Sequence, residues 1–320
     1  EIPMLRLAFL AVAMVTLPAV AQEKIGKPVR LVVGFAAGGS VDLVARMMAE
    51  RLSPRLGQPV IVENRPGGFV RVAIDAVRSA APDGATLLLT SSTPLTVTPH
   101  AYLKVPYDAQ RDLLSVARLV NGQQGFALGP MSGARTWPEY VAWVKANPDK
   151  GFFASSGVGS MGHLVGVVLA RTSGLRLEHV AYKGSGHYNA ELMGGQVSAG
   201  ISGIADASEH HRSGKLRIVA TSGAERSRAL PDVPTFTELG VAMDLSLWYG
   251  VFAPAGTPPA IVELLGRELV AIVAAPDMTE RFVKLGLEPA PAGPRATSEH
   301  LAADYARWRP IVQQAGFKLD

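Results

Sequence analysis

Residues 31–46, LVVGFAAGGSVDLVAR, constrain the fold more than any other stretch of this chain. An apolar run of strand composition breaks at Gly34, passes through the glycine pair Gly38 and Gly39, and resumes with helical spacing behind Ser40 and Asp42. Strand, glycine turn and helix N-terminus in that order form a corner whose unpaired amides and helix dipole receive an anion. Residues 151–169, GFFASSGVGSMGHLVGVVL, nearly repeat the pattern. Two such corners facing each other would make a clamp.

The segments around each corner support this reading. Residues 28–35, 59–62 and 85–90 have strand composition, and 41–52 and 72–81 have helical spacing, with Leu43, Val44, Met47, Met48 and Leu52 on one side of the first helix. Strands alternating with helices predict a parallel sheet covered on both faces, with ligands collecting beyond the carboxyl ends of its strands. Gly38, Gly39, Gly67, Gly68 and the hydroxyl run Ser91, Ser92 and Thr93 then share one rim.

A second unit repeats the alternation, with helices expected at 137–146, 162–173 and 188–194 and strands at 152–155, 177–182, 196–202 and 215–222. Its strands end in small polar residues: Ser155-Ser156-Gly157, Gly184-Ser185-Gly186 and Ser202-Gly203. An aromatic strand at 247–253 is followed by helices at 260–274, 278–285 and 298–315. With no strand left for a further sheet, these helices are expected to pack back on the first unit. The fold class is therefore α/β in two lobes, residues 22–124 and 249–320 forming lobe 1 and residues 125–248 lobe 2.

Composition narrows the function. The chain has 320 residues, 48% of them hydrophobic, which is enough to bury two domain cores. The net charge of +4 comes without a basic cluster interleaved with aromatics, so nucleic acid is not an expected partner. The absence of cysteine removes disulfides, thiolate chemistry, Cys-ligated zinc and a lipid-anchoring cysteine together. The seven histidines show no metal-ligand spacing. Residues 1–21 read as an export signal: Arg6, an apolar run at 7–17, then Ala19-Val20-Ala21. That run is shorter than the roughly 20 residues needed to span a bilayer.

Gly157-Val158-Gly159-Ser160-Met161-Gly162 has the spacing of a dinucleotide fingerprint, but the acid required at the end of the following strand is missing, where Ala181-Tyr182-Lys183 stands. No phosphate loop and no nucleophile elbow occur. A nucleotide-dependent enzyme using the 157–162 loop stays as the alternative to a binding protein. Asp42 reads two ways, as a ligand contact or as an acid serving the dipole of its own helix. His163, in the first helical turn behind Ser160, either orients the loop or touches ligand.

The blocks VRLVVGFAAGGSVDLVAR (29–46), GQPVIVENRPG (57–67), PDGATLLL (82–89), ASSGVGSMGHL (154–164), HVAYKG (179–184), GKLRIVATS (214–222), PDVPT (231–235) and WYGVFAPAGTP (248–258) resemble, in order, the substrate-binding proteins of tripartite tricarboxylate transporters, the Bug or TctC family. The resemblance runs from about residue 24 to the C-terminus. It implies a type II-like periplasmic binding protein of two lobes with a hinge and an interlobe ligand cleft. Such a protein is a monomer without cofactor or metal that delivers a small carboxylate to the large and small membrane subunits of a permease. The carboxylate classes implied are di- or tricarboxylates, aromatic acids and acidic amino acids. Carried over by position, the first-lobe contacts are Phe35, Ala37, Gly38, Gly39, Asp42, Ser91 and Ser92. The second-lobe contacts are Ser155, Gly157, Gly159, Ser160, His163, Tyr182, Ser185, Ser202 and Gly203.

The chain departs from the family pattern in three places. The turn after ENRPG is Gly68-Phe69-Val70-Arg71-Val72 rather than glycine-rich, and Gly34-Phe35-Ala36-Ala37 lacks the usual proline. An acid or amide common at the strand end after GQV is replaced by Ser202-Gly203. Arg71 reads either as a partner for a second ligand carboxylate or as a surface cation.

Overall fold

A computed structural model describes residues 25–182 and 184–319; the expected export signal at 1–21 lies outside the described residues. The chain opens with β1 (Val29–Val33), α1 (Ser40–Leu56), β2 (Val60–Asn64), α2 (Arg71–Arg78) and β3 (Thr86–Ser91). Three single-turn helices, α3 (Thr93–Thr96), α4 (Thr98–Ala101) and α5 (Ala109–Asp112), lead into the long strand β4 (Leu113–Gly122). The middle of the chain is β5 (Gln124–Leu128), α6 (Trp137–Ala146), β6 (Phe152–Ser155), α7 (Met161–Ser173), β7 (Glu178–Ala181), α8 (Ser185–Met193), β8 (Ala199–Gly203), α9 (Ile204–Arg212) and β9 (Arg217–Thr221). It closes with β10 (Leu247–Pro254), α10 (Pro259–Val273), α11 (Pro276–Lys284), β11 (Leu287–Ala292) and α12 (Pro294–Ala315).

These strands form two sheets, one in the order β11-β4-β10-β3-β1-β2 and the other β7-β6-β8-β5-β9. In the first, β1 is parallel to β2 and β3, while β10 runs antiparallel between β3 and β4. In the second, β6 is parallel to β7 and β8, and β5 is antiparallel to β8 and β9. Only Gln123 separates β4 of one sheet from β5 of the other, and the chain returns to the first sheet at Leu247. The carboxyl ends of β1, β2 and β3 and those of β6, β7 and β8 carry the loops singled out above.

Local sequence explains most of these elements. All eight residues of β10 are buried, because a strand between β3 and β4 with both faces covered has no solvent side to alternate with. Helix α1 buries Val44, Ala45, Met48 and Leu52 against the sheet and stops at Gly57, whose φ of 65° gives the left-handed cap that favours glycine. Leu43, grouped by spacing with that buried side, is instead 38% exposed.

Two elements escape the sequence patterns. β11 contains Pro289 and Pro291, which read as turn residues; it forms because it lies at the sheet edge, where only one side must pair. α9 starts directly after β8 with no intervening loop. The C-terminal helices do pack on the first sheet, with α10 and α12 against β4. Helix α12 also reaches the other lobe: Arg171 on α7 donates to the carbonyl of Gln314 at 2.6 Å. The Phe317 ring lies edge-on to His163, 4.6 Å between centroids. Among the described residues no helix is long and apolar enough to cross a membrane.

Candidate functional site

The first corner is organised by one carboxylate. Asp42, 1% exposed in the first turn of α1, accepts from the Gly38 amide at 2.9 Å, from Arg46 Nε at 2.9 Å and from Asn64 Nδ2 at 2.9 Å. Burial pushes its carboxyl up, but Arg46, Gly38 and Asn64 together outweigh burial and hold it below the usual carboxylate value. Every contact is within the first lobe, so Asp42 shapes the glycine loop from beneath. Ala37 and Gly38 are exposed at the tip of that loop. The amides of Ala36, Ala37 and Gly39 form no hydrogen bond with the described residues. The N-cap, Gly39, contributes no side-chain cap.

The neighbouring turn carries backbone strain. Phe69 and Val70 have φ of 47° and 71°, a left-handed region costly for any side chain and more so for a β-branched one. Val70 is buried against Gly34, where an added Cβ would come within 2.5 Å of Val70 Cγ1; this close approach explains the glycine. Phe69 in turn meets Phe35 edge-on at 6.1 Å. Arg71 Nε donates to the Gly68 carbonyl at 2.9 Å and its guanidinium lies 5.3 Å from the Tyr102 ring centre. It therefore braces its own turn at the rim.

The second corner is organised by hydroxyls and imidazoles. Ser160 caps α7, its Oγ accepting from the His163 amide at 3.1 Å. Ser155 Oγ, at the end of β6, lies 2.9 Å from Ser160 Oγ and 2.7 Å from Nε2 of His179. His179 stacks on His163 with ring centres 3.7 Å apart, and His163 Nδ1 accepts from the Gly159 amide at 3.3 Å. Burial, followed by the neighbouring His179, lowers the His163 pKa to about 3, and burial lowers that of His179 to about 4. Both rings are neutral near pH 7, so the groups this corner presents are amides, hydroxyls and uncharged imidazoles.

The fingerprint glycines have conformational duties. Gly157 and Gly159 have φ of 142° and 85°, and an added Cβ on Gly162 would lie 2.4 Å from the Ile201 carbonyl, where α7 crosses β8. Tyr102 of the first lobe rests against Gly159.

The two corners are joined by a residue that sequence reasoning passed over. Asp206, in the first turn of α9, accepts from the Ser40 amide at 3.0 Å, a direct contact between the lobes. Ser40 Oγ is 2.9 Å from the Tyr249 hydroxyl. Burial raises the Asp206 pKa despite the bond from the Ser40 amide. Tyr249 and His179 were legible as an aromatic in a predicted strand and a histidine in another, whereas α9, and with it the place of Asp206 at a helix start, was not; only the fold assembles the three.

The remaining residues from the sequence reading fall in two groups. Ser185 and Gly203 border Asp206. Ser92 is buried, its Oγ accepting from the Trp248 amide at 3.3 Å, and Ser91 is buried in register with Tyr249. Ser202 is buried at the end of β8, and the Tyr182 hydroxyl donates to Glu191 at 2.5 Å. The three serines are buried, and Tyr182 is half-buried with its hydroxyl engaged by Glu191. Among the described residues no group of three or more His, Asp or Glu side chains could hold a metal.

A family model described as the tripartite tricarboxylate transporter family receptor matches residues 44–317. Protein BugT of Bordetella pertussis (strain Tohama I) is 35% identical over 313 residues, covering 97% of this chain and 96% of that protein. The solved structure of periplasmic binding protein BugD superposes with a TM-score of 0.86 at 31% identity, covering 92% of this chain and 99% of that one. Rhodopseudomonas palustris Rpa4515, solved with adipate, gives 0.87 at 28% identity over 91% and 98% of the two chains. MatC from the same species, solved with malate, gives 0.83 at 28% identity over 90% and 99%. The family model over most of the chain, the full-length match to BugT and the shared two-sheet fold place the nucleotide-enzyme alternative aside: the chain belongs to the tripartite tricarboxylate transporter receptor family, Bug or TctC, whose members are periplasmic solute receptors and not enzymes.

Proposed function

We propose that this chain is an extracytoplasmic receptor, exported by the segment at 1–21. It captures one small carboxylate between its lobes and, as a monomer, hands it to the large and small membrane subunits of a tripartite tricarboxylate-type permease. One observation carries the reading: the chain builds two strand, glycine-loop and helix corners, one in each lobe, joined by the bond from the Ser40 amide to Asp206, and the first presents the unpaired amides of Ala36, Ala37 and Gly39. Amides at a helix start and the helix dipole hold a carboxylate without arginine. Hydrogen bonds to a charged group contribute about 1.5–3 kcal/mol each and micromolar binding needs about 8 kcal/mol, so three to five aimed donors suffice before ordering costs. The adipate and malate found in Rpa4515 and MatC have the chemistry such donors suit. Donors divided between lobes favour the closed state selectively, the condition for ligand-driven closure.

Calorimetry with mono-, di- and tricarboxylates, amino acids and NAD tests this. One carboxylate bound per chain and recovered unchanged is the expected result; binding of NAD alone overturns it. Ser160→Asp sharpens the test, because Asp also caps α7 while adding like charge at the corner. The variant should melt normally and lose carboxylate binding at least about 30-fold, a loss of about 2 kcal/mol.

A further inference from the structure

The acid missing from the end of β8 has a counterpart one helical turn later. Asp206 carries its carboxylate to the Ser40 amide, the position at which the first corner would receive an anion from solution. The protein's own carboxyl group thus fills part of the anion corner, and a ligand entering there meets an acid rather than a free amide.

The surroundings of Asp206 define what it can accept. An added Cβ on Gly203 would lie 3.5 Å from Asp206 Oδ2, 3.7 Å from Ser40 Oγ and 3.9 Å from the Tyr249 hydroxyl, so the three oxygens surround one open face of a residue without a side chain. Ser40 and Tyr249 are buried, whereas Asp206 and Gly203 are half-buried. The groups facing the carboxylate are Ser40 from α1, Tyr249 from β10 and Ser185 from α8, all neutral. Asn189, also on α8, bonds the Asp206 carbonyl at 3.1 Å. No salt bridge to Asp206 forms among the described residues. One carboxylate and two hydroxyl oxygens present three acceptors, and an ammonium presents three N–H donors and the opposite charge.

We propose that Asp206, with Ser40 and Tyr249, reads an ammonium group on the ligand, so that the cleft selects an amino acid over the carboxylate of the same skeleton lacking the amine. This rests on the carboxylate-receptor reading above and narrows it. The ligand carboxylate then lies toward the second corner, on the amides at the start of α7 and its loop, and the ammonium toward the first. The elevated pKa of Asp206 agrees with this arrangement, since a partly buried carboxyl bonded only by neutral donors lacks the cation that would stabilise its charge. A dianion closing on the same corner would bring like charges together at low dielectric.

The test compares matched pairs by calorimetry on the full chain at pH 7: L-aspartate with succinate, L-glutamate with glutarate, L-alanine with propionate and L-phenylalanine with 3-phenylpropionate. At least one amino acid should bind about 10-fold or more tighter than its partner. Asp206→Asn should weaken that amino acid by about 100-fold, the loss typical of removing one member of a buried charge pair, while the deamino partner binds as well or better. Tyr249→Phe, with the fold checked by circular dichroism and melting, should weaken the amino acid alone by about 5-fold. Partners without the amine binding as tightly as the amino acids, or Asp206→Asn weakening both members of a pair equally, overturns the inference and leaves the receptor reading standing. Binding of none of the eight compounds overturns the inference and leaves the receptor reading to the wider carboxylate series.

Discussion

The two corners share a backbone plan and differ in what holds them. In the first, a single buried carboxylate, Asp42, fixes the loop through Gly38, Arg46 and Asn64, while the helix cap contributes no side chain. In the second, Ser155, Ser160, His163 and His179 form a network of neutral groups that caps α7 and closes the loop on itself. One corner is therefore vulnerable to loss of one charge, and the other has its hold spread over several weaker bonds. The difference also divides the labour toward a ligand. The first corner has unpaired amides but receives the carboxyl of Asp206 from the other lobe; the second has no carboxylate in its loop.

Asp42→Ala should break this comparison most severely. Removing the carboxylate leaves the Gly38 amide, Asn64 and Arg46 without their common acceptor, and urea unfolding should show a loss of about 3 kcal/mol. A loss below about 1 kcal/mol would mean the first loop holds its shape without a central charge. Ser160→Ala should cost about 1 kcal/mol in the same measurement, the usual value of an N-cap, because Ser155 and the histidine stack still brace the loop. A cost equal to that of Asp42→Ala would erase the distinction between the corners.

Acid should separate them with a smaller effect. His163 and His179 are neutral in the fold, while in the unfolded chain they take up protons below about pH 6.5. Proton uptake favours the unfolded state from that pH downward, until the folded pKa values of about 3 and about 4 are reached. The stabilising charge on Asp42, with a folded pKa below 3.8, is retained above the unfolded carboxylate value and lost only as pH falls through the folded one. Melting between pH 6.5 and 5 should therefore show a falling midpoint that reports histidines. His100, His211 and His300, also lowered by burial, act in the same direction, so His179→Asn should make the fall shallower without abolishing it. Recording both profiles in the Asp206→Asn background removes a carboxylate whose raised pKa would act oppositely. An unchanged slope in His179→Asn would detach the stacked pair from acid stability.

Much of this was legible in the sequence because it depends on local spacing. The stretch 31–46 carries its own strand, turn and helix signals, and Ser160 precedes a run of helical period, so its capping role can be read without coordinates. β11 was not legible, since Pro289 and Pro291 argue against a strand unless its place at the sheet edge is known. The turn at Phe69 and Val70 was visible as a departure from its family, but its left-handed backbone and the packing of Val70 on Gly34 were not.

The sequence by itself determined the two corners, the α/β alternation and the family, since all three are written in neighbouring residues. Only the tertiary structure decided which groups the corners face. Ser40 and Asp206 stand 166 positions apart, and Ser40 and Tyr249 stand 209 apart. No periodicity links residues at such separations; they meet because the chain crosses between two sheets and brings α1, β10 and α9 into contact. The commitment of Asp42 to its own loop and the arrival of Asp206 at the corner above it are consequences of that crossing.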